Sequence, residues 1–257
     1  MTVTVLVVGA TGSVGRVVVA EALRAGHRVR ALVRNAPSPG FPAPVDLVMA
    51  DLTRAETLAG AVKGIDAVIF THGTYGNPVA AEAVDYGAVH NVLMARGTAR
   101  PRIALMSTVG ATDRKGSHDW KRRGERLVRI SGAAYTVVRP GGFDYNKPDE
   151  HRLVLRQGDT RQSGTPRDGV ISRRQLAQVL VACLTSPAAA GKTFELAAET
   201  GAAQARLEPL FAALAADMPG ALDGVRDASN MPLEREPAAI RDTLAGLTAR
   251  GRAKRSN

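Results

Sequence analysis

The sequence predicts an α/β protein built on a doubly wound parallel sheet. Three observations predict it: a buried-strand run leading straight into a glycine-spaced turn, a repeated alternation of short apolar strands with helices, and a Val-, Ala- and Leu-rich composition with only 4% aromatic residues. The run is Val3-Thr4-Val5-Leu6-Val7-Val8, and it is followed at once by Gly9-Ala10-Thr11-Gly12-Ser13-Val14-Gly15. Gly9 permits the sharp turn off the strand, Gly12 leaves the backbone open to a diphosphate, and Gly15 lets the next helix pack close to the sheet. The helix start then offers free N–H groups and the positive end of its dipole to the phosphates. The spacing is G-x-x-G-x-x-G, so the reading rests on the strand before it and the helix after it.

That helix carries Val14, Val17, Val18, Ala20, Ala22 and Leu23 and is closed by Gly26-His27. Arg28 to Val33 reads as the second strand, and the proline-rich stretch from Asn35 to Pro44 as a loop. Val45 to Met49 is the third strand. Thr53, with Glu56 three residues on, reads as a capping box opening a helix that Gly64 ends. Ile65 to Phe70 is the fourth strand, Val79 to Arg96 a long helix, Ile103 to Met106 the fifth strand, Trp120 to Ile130 a helix, and Tyr135 to Val138 the sixth strand. From Phe143 to Arg167 the pattern becomes polar and irregular. Order returns with Ser172 as N-cap of a helix from Arg173 to Thr185, a strand at Thr193 to Leu196, and a helix from Ala202 to about Ala216, before a Pro- and Gly-interrupted end.

Ligands of such sheets bind at the carboxyl ends of the strands, which singles out the residues there. Arg34 follows strand two, where an arginine offers a fork of donors to a 2′-phosphate and an acid would instead accept from both ribose hydroxyls. Asp51-Leu52 follows strand three; it reads either as an adenine contact or as a turn before Thr53. Thr71-His72-Gly73 follows strand four, with Thr71 or His72 placed for phosphate or ribose and His72 a minor candidate for general base. Ser107 and Thr108 follow strand five, where a carbonyl substrate would approach. Lys121 sits one helix later, and Glu125 shares its helix face; the alternative is that Lys121 to Arg126 is simply a solvated charge run.

At 257 residues the chain forms one substantial core, expected as a single domain over 1–247 with a basic, disordered tail over 248–257. Of the net charge of +10, Arg250, Arg252, Lys254 and Arg255 in that tail account for four, leaving +6 spread along the rest. No aromatic or groove-reading motif accompanies the charge, so a nucleic-acid partner is not expected. No membrane partner is expected either, since no apolar run approaches the roughly 18 residues of a membrane span. The lone Cys183 excludes an internal disulfide and reads as a small core residue, and the five histidines lack metal-ligand spacing, so no metal is expected. A cytoplasmic location is the default expectation.

Several segments are similar to the atypical short-chain dehydrogenase/reductase branch, with its NmrA-like and NAD(P)H-binding members. They are Gly-Ala-Thr-Gly-Ser-Val-Gly (9–15), Arg-Ala-Leu-Val-Arg-Asn (30–35), Ala-Asp-Leu-Thr (50–53), Ser-Gly-Ala-Ala-Tyr-Thr-Val-Val-Arg-Pro-Gly (131–141) and Val-Ile-Ser-Arg-Arg-Gln-Leu-Ala (170–177). The resemblance spans about residues 3–197. It implies a Rossmann-type domain with a small C-terminal substrate lobe, formed mainly by 142–216. It also implies an NAD(P)(H) site, and with the residues read above the expected site is Gly9, Thr11, Gly12, Ser13, Val14, Gly15, Arg34, Asp51, Leu52, Thr71, His72, Gly73 and Lys121, where Arg34 points to NADP(H) in preference to NAD(H). Lys121, Thr108 and Ser107 are then the catalytic candidates.

The superfamily's Tyr-x-x-x-Lys pair is broken here, because Ser117 stands four residues before Lys121. Tyr145, Asp144, His151 and His118 are the candidate proton donors. Two functions follow from the resemblance: hydride transfer to a small carbonyl, quinone or flavin-like acceptor, or NADP(H) sensing without turnover. The expected partner is a small-molecule substrate, the expected state a monomer or homodimer.

Overall fold

The order of the strands in space shows how the chain is wound. A computed structural model describes residues 1–35, 40–42, 44–74 and 77–252. Strand β1 (Thr4–Val8) is central and pairs in parallel with β2 (Arg28–Val33) on one side and β4 (Ala67–Phe70) on the other. Outward from β2 lies β3 (Val45–Met49); outward from β4 lie β5 (Arg102–Met106), β6 (Tyr135–Pro140) and β10 (Lys192–Glu199), all parallel. The strand order is therefore β3-β2-β1-β4-β5-β6-β10, reversing direction of travel at β1. That reversal opens a crevice at the carboxyl ends of β1 and β4.

Residues alternate across β1 into two separate cores, which is why the strand reads as a continuous apolar run. Val5 and Val7 pack with Val14, Val18 and Val19 of α1 (Ser13–Arg24) and with Leu176 and Leu180 of α6 (Arg173–Ala182). Leu6 and Val8 belong to the opposite core, with Val89 and Val92 of α4 (Gly87–Ala95), Leu127 and Val128 of α5 (Gly116–Ile130), and Ile240, Leu244 and Leu247 of α8 (Ala238–Arg252). Cys183 is fully buried in the first core, and burial pushes its thiol up to about 12, as a packing residue requires.

β2 and β3 span the expected residues, and Ser172 caps α6 through the full capping box with Gln175. Elsewhere the structure corrects the reading. Thr53 caps no helix: its amide and hydroxyl both donate to Asp51 Oδ1, at 2.8 and 2.7 Å, and only a 3-10 turn at Ala55–Thr57 and the short α2 (Ala59–Val62) follow. The fourth strand begins at Ala67 rather than Ile65, and α5 begins four residues before Trp120. The helix expected over 202–216 forms only at α7 (Glu208–Ala212), interrupted by Pro209 at its start.

The irregular segment after β6 contains β7 (Gly142–Phe143) and β8 (Arg152–Arg156), and with β9 (Val170–Ile171) it extends the sheet; β8 and β9 run antiparallel to β10. The helix α8 crosses the expected boundary at 247 and runs to Arg252. Residues 253–257, with Lys254 and Arg255, lie outside the described residues, as do Pro37 and Pro39 of the proline-rich loop. Among the described residues no helix is long and apolar enough to cross a membrane.

The charge run of α5 is not solvated. Arg122, Glu125 and Arg126 are essentially inaccessible, and the two arginines bind a strap of chain that returns from residue 213 to 237. Arg122 and Arg126 share the carboxylate of Asp223 at 2.9 and 2.8 Å, Arg129 reaches Asp217, and Arg123 reaches Glu236 at 2.6 Å. Glu125 accepts from Nε and Nη2 of Arg139 on β6, at 3.0 and 2.7 Å, and from Arg129 at 3.1 Å. Asp223→Ala leaves two buried guanidinium groups without their shared acceptor, so the unfolding free energy in urea is expected to fall by about 3 kcal/mol. Glu56→Ala, at the exposed Arg54–Glu56 pair, is expected to change it by less than about 0.5 kcal/mol. A loss below about 1 kcal/mol for Asp223→Ala would contradict the internal role of the strap.

Candidate functional site

The crevice at the end of β1 is a cleft of about 1280 Å³. Its walls come from the β1–α1 turn, the loops after β2, β3, β4 and β5, one end of α5, and the segments 140–145 and 164–168. Every residue expected at the cofactor or as catalytic lines it except Gly15, which lies just behind the turn.

Gly9 takes a φ of +83°, which few residues other than glycine adopt, and a side chain there would run into the His72 backbone at 2.8 Å. Gly15 is packed tighter still: a Cβ on it would stand 2.1 Å from the Gly9 carbonyl oxygen. Helix α1 begins at Ser13 with Gly12 as N-cap, and no side chain caps it. The first amides of the helix therefore look into the cleft without a partner from the capping residue, a cradle suited to a phosphate.

Around this turn the other expected residues take distinct roles. Arg34 is exposed at the cleft edge beyond β2, near enough to Asp51 to favour its ionised form. Asp51 is chiefly a turn residue: the Thr53 hydroxyl and amide hold its Oδ1 and keep its carboxyl below the usual range. Arg30 takes no part in the cleft, since it is tied to Asp46 at 2.8 Å and to the carbonyls of Ala61 and Lys63. Thr71 donates its hydroxyl to the Val8 carbonyl at 2.9 Å, so toward a ligand it is only an acceptor.

His72 is buried in a T-shaped contact with Phe70, its Nδ1 lacking a partner among the described residues, and its pKa is lowered to about 4 by burial and then by the Lys121 ammonium. It is neutral at ordinary pH. Thr108 donates to the Val109 carbonyl, whereas the Ser107 hydroxyl is buried in the cleft wall with no partner among the described residues.

Lys121 donates to Asp85 Oδ1 at 2.9 Å, and Thr74 donates to the other oxygen of the same carboxylate. Asp85 is fully buried and was not singled out from the sequence. It sits in a π turn, Glu82–Tyr86, between α3 (Pro78–Ala81) and α4, where one extra residue per turn re-aims the side chain inward. Gly124 makes the approach possible, because a Cβ on it would come within 3.1 Å of the Asp85 carbonyl oxygen. Glu125 is turned away from Lys121 into the core, which corrects the expectation of a functional pair.

Of the candidate donors, His118 and Tyr145 line the cleft, together with Ser117. Asp144 is committed to Arg173, accepting from its amide and its guanidinium. His151 lines a separate groove of about 750 Å³ between α1 and α6, away from the cleft. Among the described residues no group of three or more His, Cys, Asp or Glu is placed to hold a metal ion.

The residues present fit a dinucleotide, with bare amides and a glycine cradle at one end and the unpartnered Ser107 hydroxyl and His72 nitrogen further along. A family model described as NAD(P)H-binding matches residues 9–187, most of the sheet and the whole of this cleft's glycine turn. The chain belongs to the NAD(P)H-binding family. That membership supports the resemblance to the atypical short-chain dehydrogenase/reductase branch.

Among relatives, it is 27% identical to protein TIC 62, chloroplastic, of Arabidopsis thaliana across 94% of this chain and 44% of that protein. It is also 27% identical to the Bacillus subtilis protein named uncharacterized sugar epimerase YhfK, over 75% of this chain and 92% of that one. The chain thus spans about half the length of the TIC 62 relatives it matches. Its fold is similar to that of the oxidoreductase ylbE from Lactococcus lactis, with TM-score 0.67, 16% identity and coverage of 82% and 96%. It is similar too to ChuY, an anaerobilin reductase from Escherichia coli O157:H7, with TM-score 0.59, 20% identity and coverage of 76% and 96%.

The neutral state of His72 has a consequence for stability. Its folded pKa lies below the ordinary 6.5, so the unfolded chain binds the proton first, and the contribution is whole above pH 6.5 and lost as pH falls through 4. His72→Gln is expected to make urea unfolding less sensitive to pH between 7 and 4 than in the parent protein. Parallel pH profiles for the two would show that His72 titrates freely.

Proposed function

We propose that the protein is an NADP(H)-dependent reductase that delivers a hydride to a small carbonyl, quinone or flavin-like acceptor. The observation that carries this reading is the joining, in one cleft, of an uncapped helix start beside a glycine turn and a buried, unpartnered hydroxyl, Ser107, at the far end. The amides of Ser13 and Val14 would hold the diphosphate, Arg34 the 2′-phosphate, Leu52 the adenine, and Lys121 the nicotinamide ribose. When bound, the nicotinamide supplies the hydride. Lys121 is aimed by its hydrogen bond to Asp85, and Ser107 offers a donor to the substrate oxygen. The lobe made mainly by 142–216 supplies Phe143 and Tyr145 as an aromatic wall over the substrate.

Reductases among the structural neighbours support the reaction class. The burial of Arg122, Arg126, Arg129 and Arg139 in internal ion pairs supports a small-molecule partner rather than nucleic acid, since this charge is spent inside the protein. A monomer or homodimer in a reducing, cytoplasm-like compartment suits the lone buried Cys183. One observation favours a second reading, NADP(H) sensing without turnover: Ser117 stands in the cleft where a tyrosine would be needed for the usual proton transfer.

Isothermal titration with both nucleotides, followed by an acceptor panel, separates the two. Arg34→Ala is expected to weaken NADPH by about 30-fold, as the loss of charge-assisted hydrogen bonds of about 2 kcal/mol implies, and to leave NADH nearly unchanged. Gly12→Val is expected to abolish binding of both while far-UV circular dichroism stays native. Equal losses of NADPH and NADH on Arg34→Ala would overturn the NADP preference. Tight NADPH binding with no oxidation by any acceptor would favour the sensor.

A further inference from the structure

The geometry points to His118 as the proton donor of this cleft, taking the part that Ser117 cannot. This assignment rests on the reductase reading above. His118 occupies the first turn of α5, one turn before Lys121 on the same helix face, and lines the cleft with it. Its ring is held at one nitrogen: Nδ1 lies 2.8 Å from the Gly110 carbonyl oxygen and 3.1 Å from Asp113 Oδ1. Two acceptors on one nitrogen fix the proton there, so the neutral ring is the Nδ1–H tautomer and Nε2 carries a proton only in the imidazolium. Among the described residues Nε2 makes no hydrogen bond, and the side chain is 27% exposed.

The acceptors are themselves fixed. Gly110 adopts a φ of +80°, and its amide donates to the buried Asp159, whose other oxygen holds the amide and hydroxyl of Thr112. Asp113 is nearly buried; burial would raise its carboxyl, yet hydrogen bonds from Lys115 and the neighbouring His118 hold it below the usual range. The imidazole is therefore backed by an anion and a carbonyl and presented to the cleft, the arrangement that orients a general acid. The other charges facing this corner are Lys121, already paired with Asp85, Lys115, paired with Asp113, and Asp168, which also lines the cleft.

The step balances simply. Reduction of a C=O group takes a hydride to carbon, oxidising NADPH to NADP⁺, and a proton to oxygen. Protonated His118 gives its Nε2 proton to that oxygen, is left neutral with Nδ1–H in place, and regains a proton from solvent. Activity that depends on this proton must fall as pH rises through the imidazole pKa.

The test uses the 257-residue chain, NADPH, and menadione and 9,10-phenanthrenequinone as acceptors. His118→Asn is expected to lower kcat about 100-fold, with KM for NADPH changed less than about threefold, and to remove the alkaline fall of kcat. Added imidazole is expected to restore part of the rate to His118→Ala. Independently of turnover, the His118 Cε1–H proton resonance, assigned by its loss in His118→Asn, is expected to titrate with the pKa seen in the kinetic profile. An unchanged kcat profile in His118→Asn, or a resonance whose pKa differs from the kinetic one by more than a unit, overturns the assignment and leaves the reductase reading standing. NADPH that binds but is not consumed with either acceptor overturns the assignment and the reductase reading with it.

Discussion

Glu125 sits in the middle of α5 with no exposure to solvent, held by a bidentate contact from Arg139 and by Arg129, and the placement of everything on that helix follows from it. A carboxylate buried this deeply is stable only while its partners hold it, and removal of one partner from such a cluster costs about 3 to 5 kcal/mol. Arg139 adds a second bidentate contact to Asp227, so strand, helix and returning strap meet at one guanidinium. Helix α5 can neither rotate nor slide without breaking that junction. Lys121 and His118, one and two turns before Glu125, are consequently held at the mouth of the cleft.

The opposite wall is fixed by contact rather than by charge. Gly15 lies against the Gly9 carbonyl and Gly9 against the His72 backbone, so α1, β1 and the loop after β4 approach as closely as main chains can. The start of α1 then faces the end of α5 across one cleft. Its amides carry partial positive charge, while Lys121 is already balanced by Asp85, so the strongest unmet demand for an anion lies at the α1 end. The reacting end offers instead a hydroxyl, a neutral histidine and an imidazole held by its neighbours. A ligand with its phosphates at one end and its redox ring at the other matches this polarity.

Much of this was legible in the sequence where local chemistry decides the outcome. The glycine turn, the strands Arg28–Val33 and Val45–Met49, and the Ser172 cap each depend on residues a few positions apart. Thr53 misled because its amide and hydroxyl both close a tight turn on Asp51, two residues earlier, and the chain leaves that turn into a 3-10 turn instead of an α-helix. The charges of α5 misled for the opposite reason: their partners Asp217, Asp223 and Asp227 lie about a hundred residues further along, and a run of arginines looks the same in solvent as in an internal network. Asp85 was hidden by the π turn, which shifts the helical register by a residue and turns a position with no apolar pattern toward the cleft. The helix α8 did leave a signal, Ile240, Leu244 and Leu247 at helical spacing, which the surrounding prolines and glycines obscured.

The central claim is that a dinucleotide's phosphates rest on the bare amides at the start of α1. Residue-resolved hydrogen exchange with and without saturating NADPH tests it most directly. The account predicts that the amides of Ser13, Val14 and Gly15 exchange at least about tenfold more slowly with nucleotide present, while those lining the groove beside His27 and His151 are unchanged. Unaltered exchange at Ser13 to Gly15, under conditions where NADPH is bound, would contradict it.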